Sequence, residues 1–261
     1  MNIGVFAVDY KTKIQASKGE YLIKINFNDK VVVVIGASSG IGIELSKAFH
    51  EEGAHVIATY YKHKIDIIRS DRWDAYCCDI TNYNELIALR DTVLARFTRI
   101  DIAINCAGII RDSRLSNMDS NLWSDVINVN LSGTMNFIKT FAEKMKIQNY
   151  GKIVLLSSVQ GISGRISQAN YSASKAGVFA LSKVAAKEYA PYSIQINTVC
   201  PGYIETNMNK GQPTKKDEAH DHSYLSIKNN LSDLVNFILF ICSDMIMSVT
   251  GQNFVIDSRL K

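Results

Sequence analysis

From Lys30 onward, short runs of β-branched and aliphatic residues alternate with longer stretches whose apolar positions recur every three or four residues. The short runs are Val31–Ile35, Val56–Thr59, Ala75–Asp79, Ile100–Asn105, Lys152–Ser157 and Ile194–Val199. Interleaved with them are the amphipathic stretches Ile43–Glu52, Asn82–Arg96, Leu122–Lys146 and Tyr171–Tyr189. Strand and helix periods taking turns predict repeated βα units, and hence a parallel sheet. The strands are apolar on both sides, as VVVVIG and KIVLLS show. A strand covered by helices on both faces must read that way, because neither side meets water. The pattern predicts an α/β fold, a doubly wound parallel sheet with helices on both faces, in a single domain over residues 28–261.

Two segments fall outside this rhythm. Residues 1–27 form an N-terminal extension whose alternating pieces, Gly4 to Val8 and Tyr21 to Ile25, suit an extra hairpin, a flexible arm or a partner contact equally. Residues 207–230 are polar, include KKDEAHDHS, and read as a mobile connection that serves as a substrate lid. His220 and His222 lie in that lid beside Asp217, Glu218 and Asp221. Two histidines at i and i+2 without a defined geometry read as a solvated loop, so no metal is expected.

Composition narrows the class further. The 261 residues are 47% hydrophobic and 21% charged, inside the globular range. A net charge of +4 from 29 basic and 25 acidic residues, spread without a concentrated Lys/Arg block, argues against a nucleic-acid footprint. Apolar stretches such as Val235 to Cys242 fall short of the roughly 18–20 residues that span a bilayer. The N-terminus has no basic segment leading into an apolar core, since Asp9, Lys11 and Lys13 interrupt it, so a cytoplasmic protein with no membrane partner is expected. Five cysteines with no CxxC pair read as reduced, buried thiols.

Candidate chemistry begins where the first strand runs into Gly36-Ala37-Ser38-Ser39-Gly40-Ile41-Gly42. Glycines there permit a tight turn, let backbone approach a pyrophosphate and bring the following helix close, with its N–H groups facing an anion. The spacing G-x-x-x-G-x-G differs from G-x-G-x-x-G, and alone it reads equally as a strand-to-helix turn. Its position at the carboxyl end of the first strand favours a nucleotide. The second strand ends in Thr59-Tyr60-Tyr61-Lys62-His63-Lys64, with no acid before Asp66. An acid at that end would bond the adenosine ribose 2′-OH; Lys62 instead lies where a 2′-phosphate could be neutralised, unless Lys62 and Lys64 are a solvated surface run. NADP(H) is therefore the expected cofactor, with NAD(H) as the alternative.

Tyr171-Ser172-Ala173-Ser174-Lys175 opens a helical stretch, which puts Tyr171 and Lys175 one turn apart on the same face. A phenol with an ordinary pKa near ~10 is a poor proton donor or acceptor at neutral pH unless something stabilises the phenolate, and a nearby ammonium does so. Ser158 closes the strand before, 13 residues ahead of Tyr171, and can hydrogen-bond an oxygen on which charge develops. Y-x-x-x-K by itself is most often a surface pair, so specificity lies in the ensemble.

That ensemble resembles the short-chain dehydrogenase/reductase family over roughly residues 29–257. The glycine loop matches at Gly36, Gly40, Ile41 and Gly42, with Ile35 where the family has Thr. Asp79 and Ile80 match the family's adenine contact, and Asn105-Cys106-Ala107-Gly108 resembles N-N-A-G with Cys106 replacing the second Asn. Val129-Asn130-Leu131-Ser132-Gly133, the Ser158/Tyr171/Lys175 spacing and Pro201-Gly202-Tyr203-Ile204-Glu205-Thr206 follow in family order. The resemblance implies a Rossmann-type fold. It implies Tyr171 as acid/base, Lys175 as the group that lowers its pKa and holds the nicotinamide ribose, Ser158 as substrate polariser and Asn130 as anchor of a proton-relay water. Pro201, Gly202, Ile204 and Thr206 would meet the nicotinamide. Gly36, Ser38, Ser39, Gly40, Ile41, Gly42, Tyr60, Lys62, Asp79, Ile80, Asn105, Ala107 and Gly108 would hold the rest of the dinucleotide.

Within the family the stretches around Ile109, Asn170 and Pro201 look most like β-ketoacyl reductases, which implies a carbonyl substrate carried on acyl-carrier protein or coenzyme A and a homodimer or homotetramer. The lid lacks the apolar helix such enzymes have, and Ser258-Arg259 stands where a Gly pair is usual. An alcohol dehydrogenase running oxidatively, and a dinucleotide sensor without turnover, are the competing readings.

Overall fold

The computed structural model describes residues 25–65, 70–204, 223–225 and 230–259. Seven strands form its one described sheet: β1 Val31–Ile35, β2 His55–Tyr60, β3 Trp73–Cys77, β4 Ile102–Asn105, β5 Gly151–Leu156, β6 Ile194–Pro201 and β7 Asn253–Ile256. Their order is β3-β2-β1-β4-β5-β6-β7, and every pair is parallel. Helices α1 Gly40–Glu51, α2 Tyr83–Phe97, α3 Ser120–Ile127, α4 Gly133–Gln148, α5 Gln160–Ser163, α6 Ala169–Tyr189 and α7 Leu231–Cys242 complete it. The order reverses direction between β1 and β4, which opens a crevice at the carboxyl ends of those strands. The expected Rossmann-type sheet is what the chain forms.

Alternation along β1 divides the core in two. Val32 and Val34 pack with Leu45 and Phe49 of α1 and Leu234 and Ile238 of α7. Val31, Val33 and Ile35 pack on the other face with Leu86 of α2, Phe137 and Phe141 of α4 and Val178 of α6. Both faces of the strand are thus dry, which is why its sequence shows no polar alternation.

Three local readings need correction. The third strand starts at Trp73, earlier than the apolar run suggested, because Trp73 is buried against the α1 layer. Leu122–Lys146 is not one regular helix: α3 passes through a π-helical turn at Asn128–Ser132 before α4 begins. Cys77 is exposed at the end of β3, whereas Cys78, Cys200 and Cys242 are buried and Cys106 is half-buried; all five are free.

The last strand is secured from the sheet's far end. Lys152, buried in β5, donates from Nζ to the carbonyls of Ser243 and Ile246, each at 2.6 Å. Helix α7 has no basic residue in its last turn, so this ammonium supplies the positive charge that its carboxyl end favours. Asn197 Nδ2 and Gln195 Nε2 of β6 then donate to Val249 O, and Thr250 Oγ1 accepts from Ile196 N, leading the chain into β7.

The turn after β1 is built around glycine. Gly36 has φ +81° and Gly40 φ +58°. A Cβ at Gly42 would stand 2.3 Å from Gly36 O, a backbone atom that cannot move aside cheaply. Gly42→Ala is expected to destabilise the fold by roughly 2–3 kcal/mol through this overlap, read as a lowered midpoint in chemical denaturation; an unchanged midpoint would show that the turn opens without strain.

Candidate active site

The crevice is walled by the carboxyl ends of β1, β4, β5 and β6. On the β1 side the glycine loop is braced from outside: Gly36 N donates to Thr59 Oγ1 of β2 at 3.1 Å, and Ala37 N to Thr59 O at 2.7 Å. A hydroxyl missing at Ile35 is thus matched by one on the neighbouring strand, which the first-strand sequence could not reveal. A Cβ at Gly36 would lie 2.7 Å from Ala107 N, so the loops after β1 and β4 pass as closely as glycine allows. Ser39 precedes α1 with no side-chain cap, and no acid occupies the helix's first turn. Gly40, Ile41 and Gly42 open that turn, and Ser38 sits half-buried beside them. An uncapped helix start without acids, behind a backbone cradle free of side chains, fits the pyrophosphate of a dinucleotide.

The residues expected at the adenosine end lie across β2 and β3 and the turns that follow them. Tyr60 ends β2 half-buried, and Lys62 is exposed with Nζ 5.5 Å from the Tyr61 ring centroid. Asp66 lies outside the described residues. Asp79 accepts from Thr81 N and Oγ1 at 2.9 and 2.8 Å, and Ile80 is buried against Gly133. Asn105 bonds outward to Thr134 Oγ1 at 2.9 Å and back to Ala107 N at 3.0 Å, which fixes the loop after β4. A Cβ at Gly108 would stand 3.4 Å from Asn130 Oδ1 and 3.6 Å from Lys175 Nζ, ordinary contact distances that place this glycine directly against both side chains.

Ser158, Tyr171 and Lys175 line one cleft of about 160 Å³ together with Gly108, Pro201, Gly202 and Ile204. Ser158 is carried just past β5 and accepts from Gln160 N at 3.2 Å. Helix α6 is pinned to the same strand because Ser157 Oγ donates to Lys175 O at 2.9 Å. Lys175 Nζ donates to Leu156 O at 2.8 Å and stands 5.7 Å from the Tyr171 ring centroid. Thr206 lies outside the described residues, as do His220, His222 and most of the segment 207–230.

Two features of this cluster go beyond the spacing of its residues. Burial raises the Tyr171 phenol above its ordinary value, a hydrogen bond with Ser158 pulls it down, and Asp112 pushes it up. Burial acts on Lys175 as well, and its ammonium pKa falls to about 8. Asn130 sits in the π turn with its side chain already engaged: Oδ1 accepts from Ile109 N at 2.8 Å, and Nδ2 donates to Ile109 O at 3.0 Å and Ser174 Oγ at 3.2 Å. Its side chain thus locks the segment after β4 onto α6. A mid-helix Asn is explained by that lock, and π turns favour such special positions.

Several site residues were not singled out from the sequence. Asn170, fully buried, donates to Arg111 O and Leu122 O at 3.0 and 2.9 Å and fixes the start of α6. Gln168 Nε2 donates to Asp112 Oδ1 at 3.0 Å. Arg165 and Arg259 both line the cleft. Asn170 is marked in the sequence only by the resemblance of its stretch, and Arg259 only as the departure at the end of β7.

The chain's relatives agree with this geometry. The family model for short chain dehydrogenases matches residues 30–217. The 3-oxoacyl-(acyl-carrier-protein) reductase FabG of Thermotoga maritima is 38% identical over 239 residues, 88% of this chain and 97% of that protein. FabG of Escherichia coli K12 is 31% identical over 244 residues, covering 90% and 99%. A crystal structure titled gox2181 superposes with a TM-score of 0.82 at 25% identity, covering 90% of this chain and 96% of that one. A dinucleotide cradle, a Ser–Tyr–Lys cleft at the switch point and a family match over most of the length lead to one conclusion: the chain belongs to the short-chain dehydrogenase family and is an NAD(P)-dependent oxidoreductase of carbonyl and hydroxyl groups.

Proposed function

We propose that the protein reduces a ketone carbonyl, of the 3-oxoacyl thioester class or a related ketone, to a secondary alcohol with NADPH. The observation that carries this reading is the convergence of Ser158, Tyr171 and Lys175 on a single cleft continuous with the glycine loop. The names of the relatives support the thioester class, and the lysine at the end of β2 without a neighbouring acid supports the 2′-phosphate. A carrier-protein or coenzyme A thioester is the expected partner, and a cytoplasmic homodimer or homotetramer the expected form.

When bound, the dinucleotide supplies the hydride. The protein's part is to hold the carbonyl oxygen and deliver a proton to it. Ser158 Oγ and the Tyr171 hydroxyl donate to that oxygen as negative charge develops there, which stabilises the transition state more than the ground state. Tyr171 then gives up its proton, acting as the acid. A phenol held above its ordinary pKa keeps this proton through neutral pH. The Lys175 ammonium, 5.7 Å from the ring, offsets the phenolate that forms. Asn130 keeps Ile109 and Ser174 in place around the pair.

Tyr171→Phe is expected to lower kcat at least about 100-fold while NADPH still binds, as followed by nucleotide fluorescence; retention of a tenth of the activity would remove Tyr171 from the acid's role. The cofactor preference is tested by Lys62→Glu, expected to shift the NADPH/NADH ratio of kcat/KM by roughly tenfold or more toward NADH, the size of one exposed charge contact with a phosphate. An unchanged ratio would place the discrimination elsewhere.

The pH dependence follows from Lys175. A lysine is charged below its pKa, so with a value of about 8 the ammonium is lost as pH rises through that point. Tyr171, raised above its ordinary value, does not titrate in this range. The kcat/KM for NADPH, which reports groups of the free enzyme, is therefore expected to fall above about pH 8; a profile flat to pH 10 contradicts this.

A further inference from the structure

Strand β7 pairs in parallel with β6, Pro201 opposite Ile256, and Gly202 N donates to Ile256 O at 2.8 Å. That register delivers residues 257–259 to the carboxyl edge of the sheet beside Gly202 and Ile204. Arg259 there lines the same cleft as Ser158, Tyr171 and Lys175. Its guanidinium is held from behind: Nε donates to both oxygens of Asp257 at 3.0 Å, and Nη2 to Oδ2 at 2.8 Å. The Asp257 side chain is 1% exposed and that of Arg259 11%, so the pair is a fixed, nearly dry fork. A guanidinium has five N–H donors. Asp257 takes one edge, and Nη1 has no partner among the described residues.

Three basic residues line the cleft. Arg165, Lys175 and Arg259 are among its described lining residues, and no Asp or Glu is. Asp257 offsets part of this from below Arg259. Phosphate binding by the glycine loop does not account for Arg259 here, because only Ile41 of that loop reaches this cleft. A preorganised guanidinium beside the reacting hydroxyls, in a low-dielectric pocket, recognises an anionic oxygen group bidentately.

We propose that Arg259 is a specificity residue of this enzyme: it binds an anionic oxygen group that the substrate carries within reach of the carbonyl. This deepens the ketoreductase reading and rests on it for the word substrate. The anion has two chemical sources, a carboxylate on the ketone itself or the phosphate of a pantetheine arm.

The test compares matched pairs with NADPH: acetoacetate against methyl acetoacetate, and S-acetoacetyl-phosphopantetheine against S-acetoacetyl-pantetheine. The variants are R259Q, R259K and the double variant D257N/R259Q, which avoids leaving a buried carboxylate unpaired. The expected result is a loss of roughly 10- to 100-fold in the anionic-to-neutral ratio of kcat/KM, in R259Q and in the double variant, for the pair whose anion Arg259 binds, with partial recovery in R259K. The affinity for NADPH is measured alongside. Equal losses on both members of each pair, or an NADPH affinity that falls with them, would overturn the proposal in favour of a structural or cofactor role.

A binding readout separates this from the reading beneath it. Malonate, inorganic phosphate and dimethyl malonate are titrated into the NADPH-loaded wild type and variants. If the wild type reduces none of the four carbonyl compounds but malonate or phosphate binds at least about tenfold more tightly than in R259Q, the ketoreductase reading fails and the anion site stands. If neither anion depends on Arg259, the anion site fails whatever the enzyme reduces.

Discussion

The site depends on an ammonium kept in the protein interior with no carboxylate partner among the described residues. Lys175 is 5% exposed, and its described hydrogen bond runs to the Leu156 carbonyl at 2.8 Å. Such a placement costs stability, which is why burial drives its pKa down to about 8. The surroundings tolerate it because they are built closely around it. Ser157 Oγ holds the lysine's own carbonyl, and Gly161 packs against its backbone where a Cβ would approach to 2.8 Å. Cys106 and Cys200 lie near, their thiols pushed up to about 12 by burial, so they remain neutral neighbours. A carboxylate partner would satisfy the ammonium permanently and leave it less to offer a phenolate. The strain in this lysine is thus the counterpart of its use, in keeping with perturbed groups gathering where chemistry happens.

The same constraint explains the stiffness of the surrounding loops. Tyr171 and Lys175 share a helix, so their spacing is fixed by backbone geometry alone, but Ser158 comes from another strand and Gly108 from a third. Their mutual positions rest on polar side chains that tie loop to helix: Asn130 to Ile109 and Ser174, Asn170 to Arg111 and Leu122, Asn105 to Thr134. Each of these amides is buried and satisfied, as such groups must be. Together they turn three separate chain segments into one rigid wall.

What could be read from the sequence was what local physics determines. The apolar runs gave the strands because burial on two faces leaves no other pattern, and the glycine loop was legible because a Cβ at Gly36 or Gly42 has nowhere to go. The pairing of Tyr171 with Lys175 followed from helical periodicity. What escaped depends on contacts distant in the chain. Thr59 braces the loop after β1 from 23 positions away, and nothing in its own strand marks it. The π turn at Asn128–Ser132 leaves the apolar period almost intact, so one amphipathic helix was the natural expectation. The environment of Tyr171 is not legible in its spacing to Lys175, because it also depends on the burial that both groups share. Cys77 looked like a core thiol because β3 is an edge strand that reads like an inner one.

The anchoring of β7 through Lys152, Gln195 and Asn197 has an implication for how the molecule is made. No short turn ties that strand to its neighbours; its address is written in side chains more than fifty positions upstream. While the segments from β1 through β6 are being made, Arg259, which lines the cleft from the β7 side, has yet to be synthesised. A nascent or trimmed chain lacking this strand would hold a nucleotide cradle with an open side. The wall of the cleft that carries Arg259 is then the last to be put in place, when β7 docks against β6.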